Sequence, residues 1–83
     1  MFYVYFIQSQ KNPDWTYVGF SENLKQRIES HNKHKNLATK PYAPFVLLHY
    51  EAFRKREDAL RREKYLKTSK GKRTLKLMLS EDL

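Results

Sequence analysis

Eighty-three residues set the scale of one domain, with a core near the small end of what folds unaided. Apolar residues make up 40%, and six Tyr, five Phe and one Trp are enough for a compact core, so a disordered chain is excluded. The net charge is +8, and the absence of cysteine rules out a disulfide framework, thiolate zinc sites and a thiol nucleophile.

Phe2 to Ser9 reads FYVYFIQS, aromatic and β-branched without clean polar alternation, as expected of a strand buried on both faces at the centre of a covered sheet. Lys11-Asn12-Pro13-Asp14 is a turn, and Trp15 to Phe20 is the return strand. A register symmetric about Lys11 sets Ile7 opposite Trp15, Tyr5 opposite Tyr17 and Tyr3 opposite Gly19, with each pair sharing a sheet face. A slip of one residue would separate the tyrosines.

Ser21 is a suitable N-cap for a helix that runs to about Asn32, with Glu22 placed in its first turn. Leu24 and Ile28 form the buried row of this helix, and Arg27 and His31 form a neighbouring row, also four apart. Lys33 to Pro44 is a basic loop with two prolines, and Phe45 to Phe53 (FVLLHYEAF) is a third strand, dense enough in apolar residues to suggest burial on both faces. A second helix spans Glu57 to Lys67. Its start lacks a good cap, Glu57 and Asp58 occupy its first turn, and Ala59, Leu60 and Leu66 mark its buried stripe. Glu63 falls within that stripe. Thr68 to Gly71 breaks the helix, and Lys72 to Leu79 is a short basic helix with Leu75, Met78 and Leu79 inward.

The positive charge is confined to two segments. Residues 1–20 and 41–60 each sum to zero, residues 21–40 carry five Lys and Arg against two acids, and residues 61–83 carry eight against three. Neutralising phosphates is the commonest use of such a pattern, and a solvated surface is the ordinary alternative. The longest apolar runs, Phe2 to Ile7 and Phe45 to Leu48, are far too short to span a bilayer, and a signal peptide is not visible. A cytoplasmic location and no membrane partner are therefore expected.

Few residues offer metal or acid–base chemistry. The histidines at 31, 34 and 49 lack zinc-site spacing, and the acids are too sparse for a cluster of converging carboxylates. Glu63 could hold one hard cation such as magnesium, or simply pair with a nearby Arg or Lys. Tyr5 and Tyr17 could be sheet packing or chemistry; as a catalyst a tyrosine needs help, because its ordinary pKa is near 10. Arg27 can clamp a phosphate in bidentate fashion, and His31 one turn on is either an exposed helix histidine or a proton-transfer group.

Taken in order, Tyr3-Val4-Tyr5, Tyr17-Val18-Gly19, Leu24-x-x-Arg27-x-x-x-His31 and Ala59-Leu60-x-x-Glu63 resemble the GIY-YIG nuclease superfamily, above all its small single-domain bacterial members. The resemblance covers nearly the whole chain. It implies an α/β (α+β) fold with a three-stranded antiparallel sheet flanked by helices, in one domain over residues 1–83. It also implies metal-dependent hydrolysis of nucleic-acid phosphodiesters, with Mg2+ or Mn2+ as cofactor and no small-molecule cofactor. Carried over by position, Tyr5 and Tyr17 are the motif tyrosines, Tyr5 the better placed to activate water. Arg27 holds the scissile phosphate, His31 assists proton transfer, and Glu63 is the sole protein ligand of the metal. The chain departs from the family in having Tyr3 for the first glycine, Phe20 where some members carry a lysine, and no asparagine after Asn36.

The expected function is thus a metal-dependent endonuclease acting on DNA, possibly structured or branched, in repair or processing. The alternatives are a nucleic-acid-binding module of the same fold without efficient cleavage, and a protein-interaction role that uses the basic faces.

Overall fold

A computed structural model describes residues 1–81. Three strands, β1 (Phe2–Ser9), β2 (Thr16–Ser21) and β3 (Phe45–Phe53), form one antiparallel sheet in the order β2-β1-β3. The central place of β1 explains its unbroken apolar run, since both of its faces are covered: Val4, Tyr5, Phe6 and Ile7 are all buried. Three helices complete the fold, α1 (Leu24–Asn32), α2 (Arg56–Leu66) and α3 (Ser69–Met78), with a short 3₁₀ helix at Lys40–Tyr42 before β3.

The hairpin register differs from the expected one by two residues. Tyr5 lies opposite Gly19, Ile7 opposite Tyr17 and Tyr3 opposite Ser21, so the pairing is centred on Asn12 and not on Lys11. Backbone bonds from Ser9 N–H to the Trp15 carbonyl (3.0 Å) and from Trp15 N–H to the Asn12 carbonyl (2.9 Å) close this turn. Because side chains alternate with period two, the shift keeps Tyr5 and Tyr17 on one face, as diagonal neighbours with ring centroids 6.4 Å apart. Gly19 matters because it lies under the Tyr5 ring: a Cβ there would sit 2.2 Å from the Tyr5 hydroxyl oxygen.

Strand β3 is an edge, and its burial on both faces does not hold. Phe45 is buried, but Val46 is exposed and Tyr50 is 52% exposed, because among the described residues no further strand lies beyond it. Its apolar run is accommodated by a bulge between the partners of Phe6 and Ile7, which leaves Leu48 as the extra residue. Leu47 and Leu48 then pack into different cores on the two sides of the sheet.

One core joins Val4, Phe6 and Val18 to Ala59, Leu66 and Leu75 of α2 and α3. The other joins Tyr5, Ile7, Ala43 and Phe45 to Tyr17, Leu24 and Ile28. Two inward placements fail. Leu60 lies about 100° round α2 from the Ala59–Leu66 line and is 38% exposed, and Met78 lies off the Gly71–Leu75–Leu79 row of α3 and is 47% exposed. The third helix also begins earlier than its composition suggests. The Thr68 hydroxyl accepts from Gly71 N–H (3.1 Å), so Thr68 caps a helix starting at Ser69. Gly71 belongs inside it because a Cβ there would lie 2.0 Å from the Tyr65 carbonyl oxygen at the end of α2.

Candidate active site

Helix α1 carries two of the expected residues, and its ends fix where they point. Its cap is Asn23 and not Ser21: the Asn23 side chain accepts from Gln26 N–H at 3.1 Å, and Ser21 instead closes a local turn with the Asn23 backbone. Glu22 therefore precedes the helix and lies outside its first turn. At the other end His34 adopts φ 62°, with its N–H bonded to the His31 carbonyl and Lys35 N–H to the Ser30 carbonyl. This is the left-handed helix stop that glycine usually supplies. It reverses the chain at once, so that the following turn folds back over His31.

The result is a buried polar chain. His31 is fully buried, not solvent-exposed, and its Nε2 lies 2.8 Å from the hydroxyl of Tyr5, which is itself 1% exposed. On the other side, His31 Nδ1 lies 2.7 Å from Thr39 Oγ1, and the Thr39 hydroxyl reaches the Asn36 carbonyl at 3.5 Å. One proton arrangement satisfies every donor: Tyr5 O–H donates to Nε2, Nδ1–H donates to Thr39, and Thr39 donates to the carbonyl. Burial, and then the charge of Arg27, lower the His31 pKa, which keeps the imidazole neutral and Nε2 free to accept.

Burial likewise pushes the Tyr5 phenol up to about 12, against the opposing influence of the Arg27 guanidinium and with smaller contributions from Tyr17 and Glu63. Tyr5 is therefore a neutral hydroxyl in the ground state. Arg27 is exposed on α1, with Nη1 3.3 Å from the Phe20 carbonyl oxygen. Beside it lies an open polar depression of 390 Å³ that also takes in Lys33 and Lys35. The Tyr17 ring stands edge-on to His31, centroids 5.6 Å apart.

Glu63 comes from α2, which packs mainly on the opposite face of the sheet. Its carboxylate is 21% exposed and pairs with Lys67 at 3.4 Å; Lys67 Nζ in turn lies 5.5 Å from the centre of the Tyr17 ring. Glu63 is thus a rim group reaching the tyrosine face past the β2 edge, and not a residue sealed in an apolar stripe. Its lysine partner is 48% exposed, so the ion pair is loose and contributes little. Among the described residues no three His, Cys, Asp or Glu side chains gather where a metal could sit. A partly exposed carboxylate whose only partner among the described residues is a loosely held lysine fits a hard divalent cation whose other positions would be taken by water and phosphate oxygens.

All five expected residues therefore lie in one region: Tyr5 and Tyr17 both meet His31, Arg27 stands one turn before His31 on α1, and Glu63 reaches the Tyr17 ring through Lys67. Two further residues were not expected. Thr39 sits in an irregular loop where no periodicity marks it, whereas Lys67 could have been found as the residue one turn beyond Glu63. Phe20, at the position of the missing lysine, packs with the α2–α3 core and carries Arg56 over its ring at 5.9 Å.

Residues 1–76 match the family model described as the GIY-YIG catalytic domain. The chain belongs to the GIY-YIG family. A UPF0213 protein of Staphylococcus haemolyticus is 35% identical over 77 residues, 92% of each chain. Another from Clostridium perfringens is 30% identical over 84 residues, covering 100% of this chain and 88% of its own length, and one from Pediococcus acidilactici is 35% identical over 65 residues, 75% and 66%. No solved structure matches significantly. The GIY-YIG domain places the chain in a nuclease superfamily, whose substrate is nucleic acid, and the three-stranded antiparallel sheet with its helices agrees with that fold. No described helix is long and apolar enough to cross a membrane.

Proposed function

We propose that this chain is a divalent-metal-dependent endonuclease that hydrolyses phosphodiester bonds in DNA. The observation that supports this most is the buried Tyr5–His31–Thr39 hydrogen-bonded chain, with the exposed Arg27 on the same helix as His31 and the partly exposed Glu63 at the rim. Packing alone would be served as well by phenylalanine at Tyr5. A neutral phenol whose proton already points at an acceptor imidazole can take a proton from an attacking water as it passes its own to His31 Nε2. Tyr5 then need not ionise first, which its high pKa would forbid. Thr39 and the Asn36 carbonyl hold the imidazolium that results.

Arg27 would bind the scissile phosphate and offset the charge that builds on its oxygens as the new P–O bond forms and the old one breaks. Glu63 would hold magnesium or manganese, which supplies further electrophilic stabilisation of the phosphate oxygens. Tyr17 walls the site and orients His31 through its edge contact.

The test is a panel of duplex, single-stranded and branched DNA incubated with magnesium or manganese. Cleavage is expected with either ion and is expected to stop on chelation. Arg27→Ala should lower the rate by roughly 10²–10³-fold, the usual loss for one charge-stabilising group, and Glu63→Ala should abolish it. Cleavage that survives both substitutions would place the chemistry elsewhere. Binding without cleavage on every substrate would favour a nucleic-acid-binding module, the reading to which the absent downstream asparagine and the Phe20 position lend support.

A further inference from the structure

A second feature begins where the candidate site ends. Two adjoining cavities, of 300 and 490 Å³, run along the β2 edge between the hairpin and α3. The first takes in Tyr17 and Lys67, the second Lys76 and Asp14, and Thr16 and Lys72 line both, so the two form one groove. It starts at the Tyr17 ring and ends at the Pro13–Asp14 turn. Its helical wall carries three exposed lysines, of which Lys67 is loosely paired with Glu63 and Lys72 and Lys76 face only the single acid Asp14 of the other wall.

The spacing along that wall suits a repeating anion. Lys72 and Lys76 are one helical turn apart on α3, about 6 Å along its axis. Two nucleotide steps of one strand rise about 7 Å. No aromatic face is open for base stacking, because the Tyr17 ring is covered by Lys67 and Phe6 is buried. The groove can therefore grip a backbone but not read bases. Electropositive grooves that track a single backbone are the common solution for unpaired nucleic acid.

We propose that this groove holds an unpaired strand leading away from the scissile phosphate, so that the preferred substrate carries a single-stranded tail beside the cut. The identity of the ligand rests on the nuclease reading; the groove and its charge do not.

The experiment measures equilibrium binding without divalent metal, over a salt series, using a labelled blunt duplex and the same duplex with a 5′ or 3′ oligothymidine tail. The wild-type protein is expected to bind one tailed form more tightly than the blunt form. Lys72→Ala with Lys76→Ala should remove that preference and reduce the salt slope for the tailed form by about 1.4, two single-strand phosphate contacts at ~0.7 each. Both side chains are exposed and alanine suits a helix, so the fold should persist, as circular dichroism would verify. Arg54→Ala with Lys55→Ala, in the turn just before α2 and away from the groove, should change neither slope nor preference.

Equal losses on blunt and tailed duplex, or equal losses from the two variant pairs, would overturn the groove in favour of diffuse charge attraction. A protein that keeps the lysine-dependent tail preference but cleaves nothing would uphold the groove while removing the nuclease reading. Cleavage with no tail preference would do the reverse.

Discussion

The two faces of the sheet are built on different principles. The face under α2 and α3 is a hydrocarbon core: Val4, Phe6, Val18, Ala59, Leu66 and Leu75 meet with no buried hydrogen bond between side chains among them. The face under α1 buries polar groups instead, setting Tyr5, His31 and Thr39 in sequence among aromatic rings. Trp15 and Tyr42 stack at 4.0 Å at the margin of that cluster. The first face gains from area removed from water, and almost any well-packed apolar set would serve it. The second also buries Ile7, Ala43 and Phe45, but its polar chain gains from burial only if every donor and acceptor is paired, so those positions tolerate only particular residues. On the proposed function, chemistry belongs to the α1 face, and the α2–α3 face is expected to hold the larger share of stability; the shared central strand β1 joins them.

The largest effect that should separate the faces comes from Leu66→Ala. Leu66 is 1% exposed, and deleting its side chain should cost about 2–5 kcal/mol, a large share of the roughly 4–12 kcal/mol expected for a chain of this length. Urea unfolding would measure it. At low temperature, activity per folded molecule should remain near that of the wild type. A cost below 1 kcal/mol would mean that the hydrocarbon face is not the main source of stability.

Tyr5→Phe should act in the opposite sense. The ring stays, but His31 Nε2 loses its donor, a buried unpaired acceptor that costs about 1–3 kcal/mol. That is less than the Leu66 effect, yet cleavage should be lost, because the proposed proton path begins at the missing hydroxyl. Cleavage retained at the wild-type rate would reduce Tyr5 to packing and break the comparison.

How much of this was legible in the sequence follows the same division. The limits of β3, the short β2, the uncapped start of α2 and the acids in its first turn were readable, because apolar runs and turn residues are local signals. The candidate site residues stood out only as an ordered set, since no local property sets Tyr5 apart from Tyr3 or His31 from His34. The hairpin register was not readable: it depends on the backbone bonds of the turn, from Ser9 to Trp15 and from Trp15 to Asn12, and the apolar residues on either side suit several registers. The Asn23 cap was missed because Ser21 is an equally good cap by type. Thr39 was missed because its role exists only after the left-handed turn at His34 brings it back over the histidine. The exposure of β3 depends on what lies beside it in the sheet, which the residues of β3 do not encode.

The smallest expected effect separates the faces by pH. On the site face, burial and then Arg27 hold the His31 pKa below its ordinary 6.5. The unfolded chain then binds more protons than the native one below that pH, so stability is fully present above 6.5 and declines as pH falls from there toward the lower native value. On the other face, Glu51 bridges β3 to α2. Burial opposes its ionisation, but hydrogen bonds from Arg62 (2.8 and 3.1 Å) and His49 (2.9 Å) outweigh it and lower its pKa from 4.5. Its contribution is intact above 4.5 and is lost only as pH falls below that. Melting temperature followed from pH 8 to pH 3 should therefore fall in two stages, the first owed to the α1 face and the second to the α2 face. His31→Gln should flatten the first stage and leave the second, and Glu51→Gln the reverse. A single acid transition that both substitutions shift equally would mean that the two faces do not titrate independently.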